Sequence, residues 1–308
     1  MTDELYKRYR PQNFQDVVGQ KDAVRMLVEM GKKGSIPHTL LFTGESGCGK
    51  TTLARILRDK LKCGDKDFQE LNAADDRGID MVREIRQRSG LAPIQGPCRI
   101  WLIDEAHQMT PQAQESFLKL LEDTPKHVYF FLATTDPGKL KKTIITRCTE
   151  IKVRPLKPAE CMALLKKISD AEQKQIEQDV AEKIVEMAEG SARKALVLLH
   201  QVIDLATEDD KLEALQKADA KRAGIDLARL LMNPRSTWKE VATVLKGLDE
   251  EPETIRRIIL GYFQAVSLNK PNPVQEIEMM GNFLEPYFNT GKSGLVHDCG
   301  VAILSRKR

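Results

Sequence analysis

The residues from Gly44 to Thr51 read GESGCGKT, and their types and spacing suit the binding of phosphate groups. Gly44, Gly47 and Gly49 can adopt positive φ, which lets successive backbone N–H groups point inward at phosphate oxygens. Lys50 would then place its ammonium beside the β- and γ-phosphates, and the Thr51 hydroxyl could ligate Mg²⁺. This segment therefore predicts a phosphate-binding loop for a nucleoside triphosphate.

A second pair of candidate residues, Asp104 and Glu105, ends the apolar segment that starts at Arg99. Two carboxylates at the end of a buried strand are typical of a Walker B segment. Asp104 would hold Mg²⁺ directly or through water, and Glu105 would polarise the water that attacks the γ-phosphate. Such a pair can also cap the next helix, but the upstream loop favours catalysis. His107 is expected to be a packed or solvated neighbour.

Alternating helices and strands must position these groups. Residues 39–43 form a short apolar run suited to a buried parallel strand, and the helix after Lys50 would face the phosphates with its N-terminus. The pattern predicts helices near 20–33, 50–62, 78–88 and 111–122, and strands at 39–43, 68–72, 98–103, 127–133 and 149–153. This alternation indicates a three-layer α/β domain with a mainly parallel sheet.

The pattern changes at residues 154–158, RPLKP, where two prolines interrupt any helix. A small helical bundle is then expected from helices near 158–170, 175–189 and 191–206. The polar stretch 207–222 leads to a third region. We therefore expect three domains, at residues 1–154, 155–208 and 209–308.

The third region contains one strongly periodic apolar face. Its residues recur at i, i+3, i+4, i+7, i+8 and i+11, and they are Ile255, Ile258, Ile259, Tyr262, Phe263 and Val266. This spacing places all of them on one side of a helix. Such a face belongs either to a domain core or to an oligomer interface, and both alternatives stay open at this point.

Composition limits the classes of function to consider. The 308 residues include six cysteines without C-x-x-C pairing, so neither a zinc module nor a disulfide framework is expected. The net charge of +3 is too small to indicate a nucleic-acid partner. The N-terminus lacks an apolar targeting core, and the longest apolar run, 128–133, is too short to cross a bilayer. We expect a cytoplasmic protein with no membrane partner.

Five further segments are distinctive: YKRYRP at 6–11, DVVGQ at 16–20, ELNAADDRGID at 70–80, LATTDP at 132–137 and ITRC at 145–148. Together with the loop and the two carboxylates, they resemble the AAA+ clamp-loader ATPases. These are the replication factor C small subunits and the gamma/tau subunit of bacterial DNA polymerase III. In the last segment, residues 146–148 read Thr-Arg-Cys, where the family has Ser-Arg-Cys. The resemblance covers about residues 5–206.

The resemblance implies an AAA+ P-loop domain, then a small helical lid, then an all-α collar for oligomerisation. It also implies ATP and Mg²⁺ as cofactors. The residues that it assigns to the nucleotide are Tyr9, Arg10, Val18, Gly47, Cys48, Gly49, Lys50, Thr51, Thr52 and Arg193. Thr51 and Asp104 are assigned to the metal, and Lys50 and Glu105 to catalysis.

Three further catalytic roles follow from the same resemblance. Arg193 takes the sensor 2 position at the start of a lid helix, from which its guanidinium could reach the γ-phosphate. Thr135 matches sensor 1, where a polar side chain at a strand end could hold the lytic water. Arg147 resembles the arginine finger that completes the neighbouring subunit's site in trans. A solvated helix-start arginine and a surface ion pair are the respective alternatives for Arg193 and Arg147.

Arg77, Arg83 and Lys139 occupy positions that, in related loaders, line the inner surface of a spiral and follow one DNA strand through its phosphates. Each alone could be an ordinary exposed charge. We therefore expect an ATPase subunit of a sliding-clamp loader. It would act in a pentameric ring or spiral, as a hetero- or homo-oligomer with other loader subunits, and its partners would be a sliding clamp and primer–template DNA. A branch-migration helicase, which needs a C-terminal winged-helix domain, and a non-hydrolysing scaffold subunit are the alternatives.

Overall fold

The computed structural model describes residues 4–248 and 250–304. The outer ends of the first and last predicted domains, residues 1–3 and 305–308, lie outside the described residues. The chain divides into two compact units between Leu205 and Ala206.

The division into two units lies close to the expected border at residue 208. The expected border at residue 154 falls inside the first unit, so the separate lid domain at 155–208 stays a prediction. In the residues that the structure describes, no helix combines the length and the apolar character needed to cross a membrane.

A five-stranded sheet forms the centre of the first unit. Its strands are β1 (Thr39–Thr43), β2 (Phe68–Asn72), β3 (Arg99–Asp104), β4 (Val128–Thr134) and β5 (Thr149–Lys152). They lie in the order β2-β3-β4-β1-β5, and every neighbouring pair is parallel. The predicted parallel sheet is confirmed. Because parallel strands end at the same edge, the segments that follow β1, β3 and β4 lie side by side.

Nine α-helices accompany this sheet within the described part of the first unit. They are α1 (Leu5–Arg8), α2 (Lys21–Lys32), α3 (Lys50–Lys60), α4 (Ile79–Ser89), α5 (Pro111–Glu122), α6 (Lys142–Ile145), α7 (Pro158–Ala171), α8 (Gln178–Ala188) and α9 (Ala192–Val202). Each helix that the sequence pattern predicts is present. The largest difference is at α9, which ends at Val202 rather than at residue 206.

Two hydrophobic clusters cover the two faces of the sheet. Leu40 and Phe42 of β1 belong to the cluster that contains α2 and α3, and Leu41 between them belongs to the cluster that contains α4 and α5. Successive side chains of a strand point to opposite faces, so an apolar run such as β1 is buried on both sides. The three-layer α/β architecture is therefore confirmed.

The described residues of the second unit, 206–248 and 250–304, form helices and no strand. The helices are α10 (Glu208–Met232), α11 (Trp238–Lys246), α12 (Pro252–Leu268), α13 (Val274–Gly281) and α14 (Gly291–Leu304). The periodic face of α12 is part of the core, because Ile255, Ile259 and Phe263 are fully buried within the unit. The domain-core alternative is therefore confirmed for these three residues.

The polar stretch 207–222, for which the sequence pattern predicts no helix, forms the first part of α10. The Thr207 side chain accepts a hydrogen bond from the backbone N–H of Asp210 (3.1 Å) and so caps the helix. Three acidic residues in the first turn are favourable at the positive end of the helix dipole. The cap and these charges support a helix whose apolar periodicity is weak.

Glu253 and Arg256 form a buried ion pair in the second unit. The Glu253 carboxylate accepts hydrogen bonds from Arg256 Nε (2.8 Å) and Nη2 (2.6 Å) and from the Tyr287 backbone N–H (3.0 Å). Arg256 also donates to the carbonyl oxygen of Phe283 (2.7 Å). The hydrogen bonds from Arg256 are the main reason that the pKa of Glu253 is lowered to about 2.

We expect Glu253→Gln to lower the free energy of unfolding by about 3–5 kcal/mol at pH 7, because the Arg256 charge is left buried and uncompensated. The parental advantage should be complete above the ordinary carboxyl pKa of 4.5 and should be lost as the pH falls towards about 2. Urea unfolding measures both effects. Glu251→Gln, at an exposed carboxylate, is the control, and equal losses in the two variants would contradict the account.

Candidate functional site

The loop between β1 and α3 turns in the way that its glycines predict. Gly44, Gly47 and Gly49 have φ of 147°, 76° and 107°, conformations that glycine adopts more readily than other residues. At Gly47 a Cβ atom would lie 2.2 Å from Ser191 Oγ, so this part of the loop packs closely against the turn before α9. Because α3 begins at Lys50, its free N–H groups face the space that the loop encloses.

The Lys50 side chain is buried beneath this loop, with the whole residue only 6% exposed. Its Nζ donates to the carbonyl oxygens of Gly44 (2.8 Å) and Glu45 (2.9 Å). Burial lowers the pKa of the ammonium, and the carboxylates of Glu105 and Asp104 act in the opposite direction. A buried cation with neutral carbonyl partners gains from a phosphate oxygen, because the full negative charge compensates its desolvation.

Asp104 lies at the end of β3, next to the first turn of α3. Its Oδ2 accepts a hydrogen bond from Thr51 Oγ1 (3.1 Å), and its Oδ1 accepts one from the Glu105 backbone N–H (2.9 Å). A hydroxyl and a carboxylate are hard oxygen donors of the kind that Mg²⁺ prefers. The donor set of Thr51 and Asp104 therefore fits the implied magnesium ion.

Glu105 has a left-handed backbone, with φ 48° and ψ 41°, which is uncommon for a residue other than glycine. Its Oε2 accepts a hydrogen bond from Thr135 Oγ1 (3.1 Å) and lies 3.3 Å from His107 Nδ1. The His107 side chain is only 6% exposed, and its Nδ1 also contacts Thr134 Oγ1 (3.1 Å), so this residue is packed as expected. The ends of β3 and β4 together hold the Glu105 carboxylate in place.

Lys50 and Thr51, with the loop glycines Gly47 and Gly49, line a cavity of about 370 Å³, a volume that suits a small-molecule ligand. Thr135 and His107 contact Glu105 but are not part of the cavity lining. Every residue that the family resemblance assigns to the nucleotide lines the cavity: Tyr9, Arg10, Val18, Gly47, Cys48, Gly49, Lys50, Thr51, Thr52 and Arg193. Asp104 and Glu105 line it as well. Leu156, Leu164 and Ile168 add an apolar part to the lining, and an apolar surface is suited to the flat face of a base.

The amino-terminal segment is tied to the helices beyond residue 154. The Tyr9 hydroxyl donates to the Glu172 carboxylate, which raises the pKa of the phenol, and Arg8 Nη2 lies 2.5 Å from the same carboxylate. At the start of α9, the Arg193 guanidinium lies 5.7 Å from the centre of the Tyr6 ring. Sequence reasoning missed this contact, although Tyr6 lies in a segment that it singled out.

Arg147 lies outside the cavity of its own chain. Its Nη2 is 2.7 Å from Glu122 Oε1, and its Nη1 donates to the Thr143 carbonyl oxygen (3.0 Å). Both partners of the ion pair are partly exposed, with 38% of the Arg147 side chain accessible. The ion-pair alternative is therefore realised within one chain, and the role as an arginine finger stays a prediction.

The three residues predicted to contact DNA also lie outside the cavity. Arg83 pairs with Asp80 (2.7 Å) on α4, and Lys139 pairs with Asp136 (3.1 Å) after β4. Arg77, just before α4, is exposed. Their side chains are accessible to a phosphate backbone, and their role stays a prediction.

A phosphate loop follows β1, two carboxylates lie at the end of β3 and a threonine follows β4, all at one edge of this parallel sheet. This is the arrangement of an AAA+ P-loop fold. Solved structures agree. The Thermotoga maritima RuvB Holliday junction branch migration motor matches with a TM-score of 0.60 at 19% identity, over 84% of this chain and 91% of that one. At this identity the likeness supports the fold alone.

The chain is similar in sequence to the gamma and tau subunits of bacterial DNA polymerase III. It is 30% identical to DNA polymerase III subunit tau of Bacillus subtilis over 296 residues, covering 87% of this chain and 52% of the relative. Against DNA polymerase III subunit gamma of Buchnera aphidicola, the identity is 33% over 222 residues, covering 65% and 62%. The chain therefore spans about half the length of the Bacillus subtilis tau subunit.

Two family models match parts of the chain. Residues 66–157 match the family described as DNA polymerase III, delta subunit. Residues 13–93 match the family described as magnesium chelatase, subunit ChlI. Both matches fall within the first unit, which contains the cavity.

Proposed function

We propose that this chain is an ATPase subunit of a sliding-clamp loader. The observation that carries the proposal is the convergence of Lys50, Thr51, Asp104 and Glu105 on one cavity of about 370 Å³. The similarity to gamma and tau subunits supports a replication setting for that site. We propose the cytoplasm as its location, and ATP, Mg²⁺, other loader subunits, a sliding clamp and primer–template DNA as its ligands and partners.

In the proposed mechanism the phosphate loop binds the triphosphate of ATP. Lys50 Nζ exchanges its two carbonyl partners for β- and γ-phosphate oxygens, and the N–H groups at the start of α3 add further hydrogen bonds. Thr51 and Asp104 would hold Mg²⁺, which would supply charge neutralisation on the phosphates. These contacts fix the γ-phosphate at the edge of the sheet, beside Glu105.

Hydrolysis requires a water aligned with the γ-phosphate. Glu105 orients this water and accepts its proton on a carboxylate oxygen, and Thr135, which holds Oε2 of that carboxylate, adds a second polar contact to the water. Arg193, in the first turn of α9, lines the cavity, and its guanidinium would reach the γ-phosphate by leaving the Tyr6 ring. The lid at 155–208 would respond to the nucleotide through this arginine.

We further propose that the site is completed by a neighbouring subunit. Arg147 would leave Glu122 and stabilise charge on the γ-phosphate of the adjacent chain. The exposed ion pair with Glu122 holds the Arg147 side chain weakly, since such pairs contribute about 0–1 kcal/mol to stability. The collar at 209–308 would supply the oligomer contacts, and its exposed apolar side chains, such as Leu268 (79%) and Phe288 (71%), support this role.

Both alternative functions are less well supported. A branch-migration helicase would share the fold, but the described residues 206–248 and 250–304 form helices only, whereas a winged-helix domain contains strands. A non-hydrolysing scaffold subunit would not need a complete set of catalytic groups. Lys50, Thr51, Asp104 and Glu105 all line the cavity.

The test of this function is primed-DNA binding and DNA-stimulated ATP hydrolysis by the assembled loader. The Arg77→Ala and Arg83→Ala double variant should bind primed DNA more weakly whatever its sequence, with the salt slope lowered by about one unit per lost phosphate contact. ATP hydrolysis without DNA should be retained. Arg25→Ala is the matched control, because Arg25 pairs with Asp22 on α2 as Arg83 does with Asp80 on α4. An unchanged salt slope in the double variant would place the DNA path elsewhere.

A further inference from the structure

The carboxamide of Gln20 is buried where three segments of the first unit meet, and the residue is only 3% exposed. Its Nε2 donates to the carbonyl oxygens of Cys48 (3.3 Å) and Arg154 (2.5 Å). Its Oε1 accepts a hydrogen bond from the Arg154 backbone N–H (3.1 Å). Both donors and one acceptor are used, so the site requires a carboxamide of this length.

One of these contacts fixes a peptide group of the phosphate loop. The C=O of Cys48 and the N–H of Gly49 belong to one planar trans peptide and therefore point in opposite directions. Since the carbonyl oxygen is held by Gln20, the Gly49 N–H is turned away from Gln20. Gln20, Cys48 and Gly49 all line the cavity, so Gln20 fixes the orientation of a peptide group in the cavity wall.

The other two contacts hold the chain where it leaves the sheet. Arg154 follows β5, and α7 begins at Pro158, so residues 154–157 are the hinge segment between the sheet and the helices that line the far side of the cavity. Gln20 binds both the N–H and the C=O of Arg154. Rotation of the helices about this segment would strain or break these hydrogen bonds.

Two consecutive residues, Gly19 and Gln20, have left-handed backbone conformations at the point where these contacts are made. Gln20 itself has φ 52°, a left-handed conformation that is costly for a side-chain-bearing residue. At Gly19, φ is 69° and a Cβ atom would lie 2.6 Å from Leu156 Cδ2 in the hinge segment. On the other side, the Leu156 N–H donates to the Gly190 carbonyl oxygen (2.8 Å). The hinge segment is therefore held between the Gly19–Gln20 turn and the turn before α9.

The phosphate loop also contacts the turn before α9 directly. The Arg193 backbone N–H donates to the Gly47 carbonyl oxygen (3.3 Å), one residue before the carbonyl that Gln20 binds. Adjacent peptides of the loop are thus hydrogen bonded to α9 and to Gln20. A change in the loop would therefore act on the helical region at two points, Arg154 before α7 and Arg193 in the first turn of α9.

We propose that Gln20 is a positioning residue for ATP hydrolysis that couples the phosphate loop at Cys48 to the hinge segment at Arg154. This inference rests on the proposed ATPase function. When nucleotide orders the loop, Gln20 transmits that order to the hinge, and the helices that carry Arg193 adopt one orientation over the γ-phosphate. Without the carboxamide, the loop and the hinge adjust independently.

The test uses Gln20→Asn and Gln20→Glu in the purified full chain. Asparagine tolerates the left-handed backbone but is one methylene too short to reach both partners. Glutamate keeps the length and the acceptor, but it sets an oxygen against the carbonyl oxygens of Cys48 and Arg154. Gln173→Asn is the matched control, because Gln173 is an exposed glutamine that also has a left-handed backbone, with φ 56°.

Steady-state ATP hydrolysis is measured over a range of ATP concentrations. Hydrogen exchange of the peptide 154–160 is measured with and without ATP. We expect the Gln20 variants to raise KM for ATP about tenfold, as expected for a lost buried hydrogen bond, and to abolish the ATP-dependent change in hinge exchange. A merely structural role would lower the active fraction, and hence apparent kcat, at unchanged KM. Circular dichroism identifies which variant is folded, and either folded variant suffices.

The outcomes separate the two hypotheses. If the parent hydrolyses ATP, and a folded Gln20 variant keeps its KM and its ATP-dependent hinge exchange, the positioning role is wrong and the ATPase proposal stands. If Gln173→Asn shows the same changes as Gln20→Asn, the effect is not specific and the positioning role is also wrong. If the parent neither binds nor hydrolyses ATP, the proposed function itself is overturned.

Discussion

Glu105→Gln should bind ATP as the parent does and hydrolyse it about 10²–10⁴ times more slowly, the usual range for loss of a general base. Glutamine preserves the shape of the side chain and can still accept the hydrogen bond from Thr135, but it cannot take the proton of the attacking water. The phosphate loop and the metal ligands are untouched. Binding of a fluorescent ATP analogue and single-turnover phosphate release measure the two steps separately.

Two comparisons make this result specific. Lys50→Ala should weaken binding itself, because it removes the buried ammonium that faces the phosphates. Glu29→Gln, at an exposed carboxylate on α2, should leave both steps unchanged. Hydrolysis at the parental rate by Glu105→Gln would show that this carboxylate has been assigned the wrong role.

Arg147→Ala should retain ATP binding and lose hydrolysis by roughly 10³–10⁵, the contribution of an arginine finger in well-studied phosphoryl transfer. The reason is that the guanidinium, which pairs with Glu122 within its own chain, would stabilise charge on the neighbouring γ-phosphate mainly in the transition state. Lys152→Ala, an exposed cation at the end of β5, is the control.

Mixing tests whether the finger acts in trans. Arg147→Ala and Glu105→Gln subunits, dissociated and reassembled together, should regain part of the activity. Some interfaces then combine an intact Glu105 from one chain with an intact Arg147 from the next. Neither variant alone can form such an interface. Full activity of Arg147→Ala would reject the finger, and inactivity without rescue would contradict its action in trans.

The sequence was sufficient for the parts of the site that depend on local signals. The spacing of Gly44, Gly47 and Gly49 requires a particular backbone, and the structure has the expected positive φ at all three. Short apolar runs followed by glycine or by carboxylates marked β1 and β3, and parallel strands necessarily end at a common edge. The meeting of Lys50 and Asp104 follows from these two facts.

Contacts between distant segments could not be predicted in the same way. Gln20 reaches residues 28 and 134 positions away, and nothing in its local sequence indicates either partner. Arg147 pairs with Glu122, 25 positions away, and this contact depends on how α5 and α6 pack against each other. The helix across 207–222 was missed because its capping residue and acidic first turn support it more than any apolar periodicity does.

The central claim, that ATP binding by this chain serves the loading of a clamp, is tested most directly by clamp capture. The loader assembled with Glu105→Gln, which should retain unhydrolysed ATP, is mixed with the sliding clamp of the same organism in ATP or in ADP, and the retained clamp is measured. We expect strong retention in ATP, weak retention in ADP, and weak retention in either nucleotide for a loader assembled with Lys50→Ala. Equal retention by the two loaders in ATP, or no retention by the Glu105→Gln loader, would contradict the proposed function.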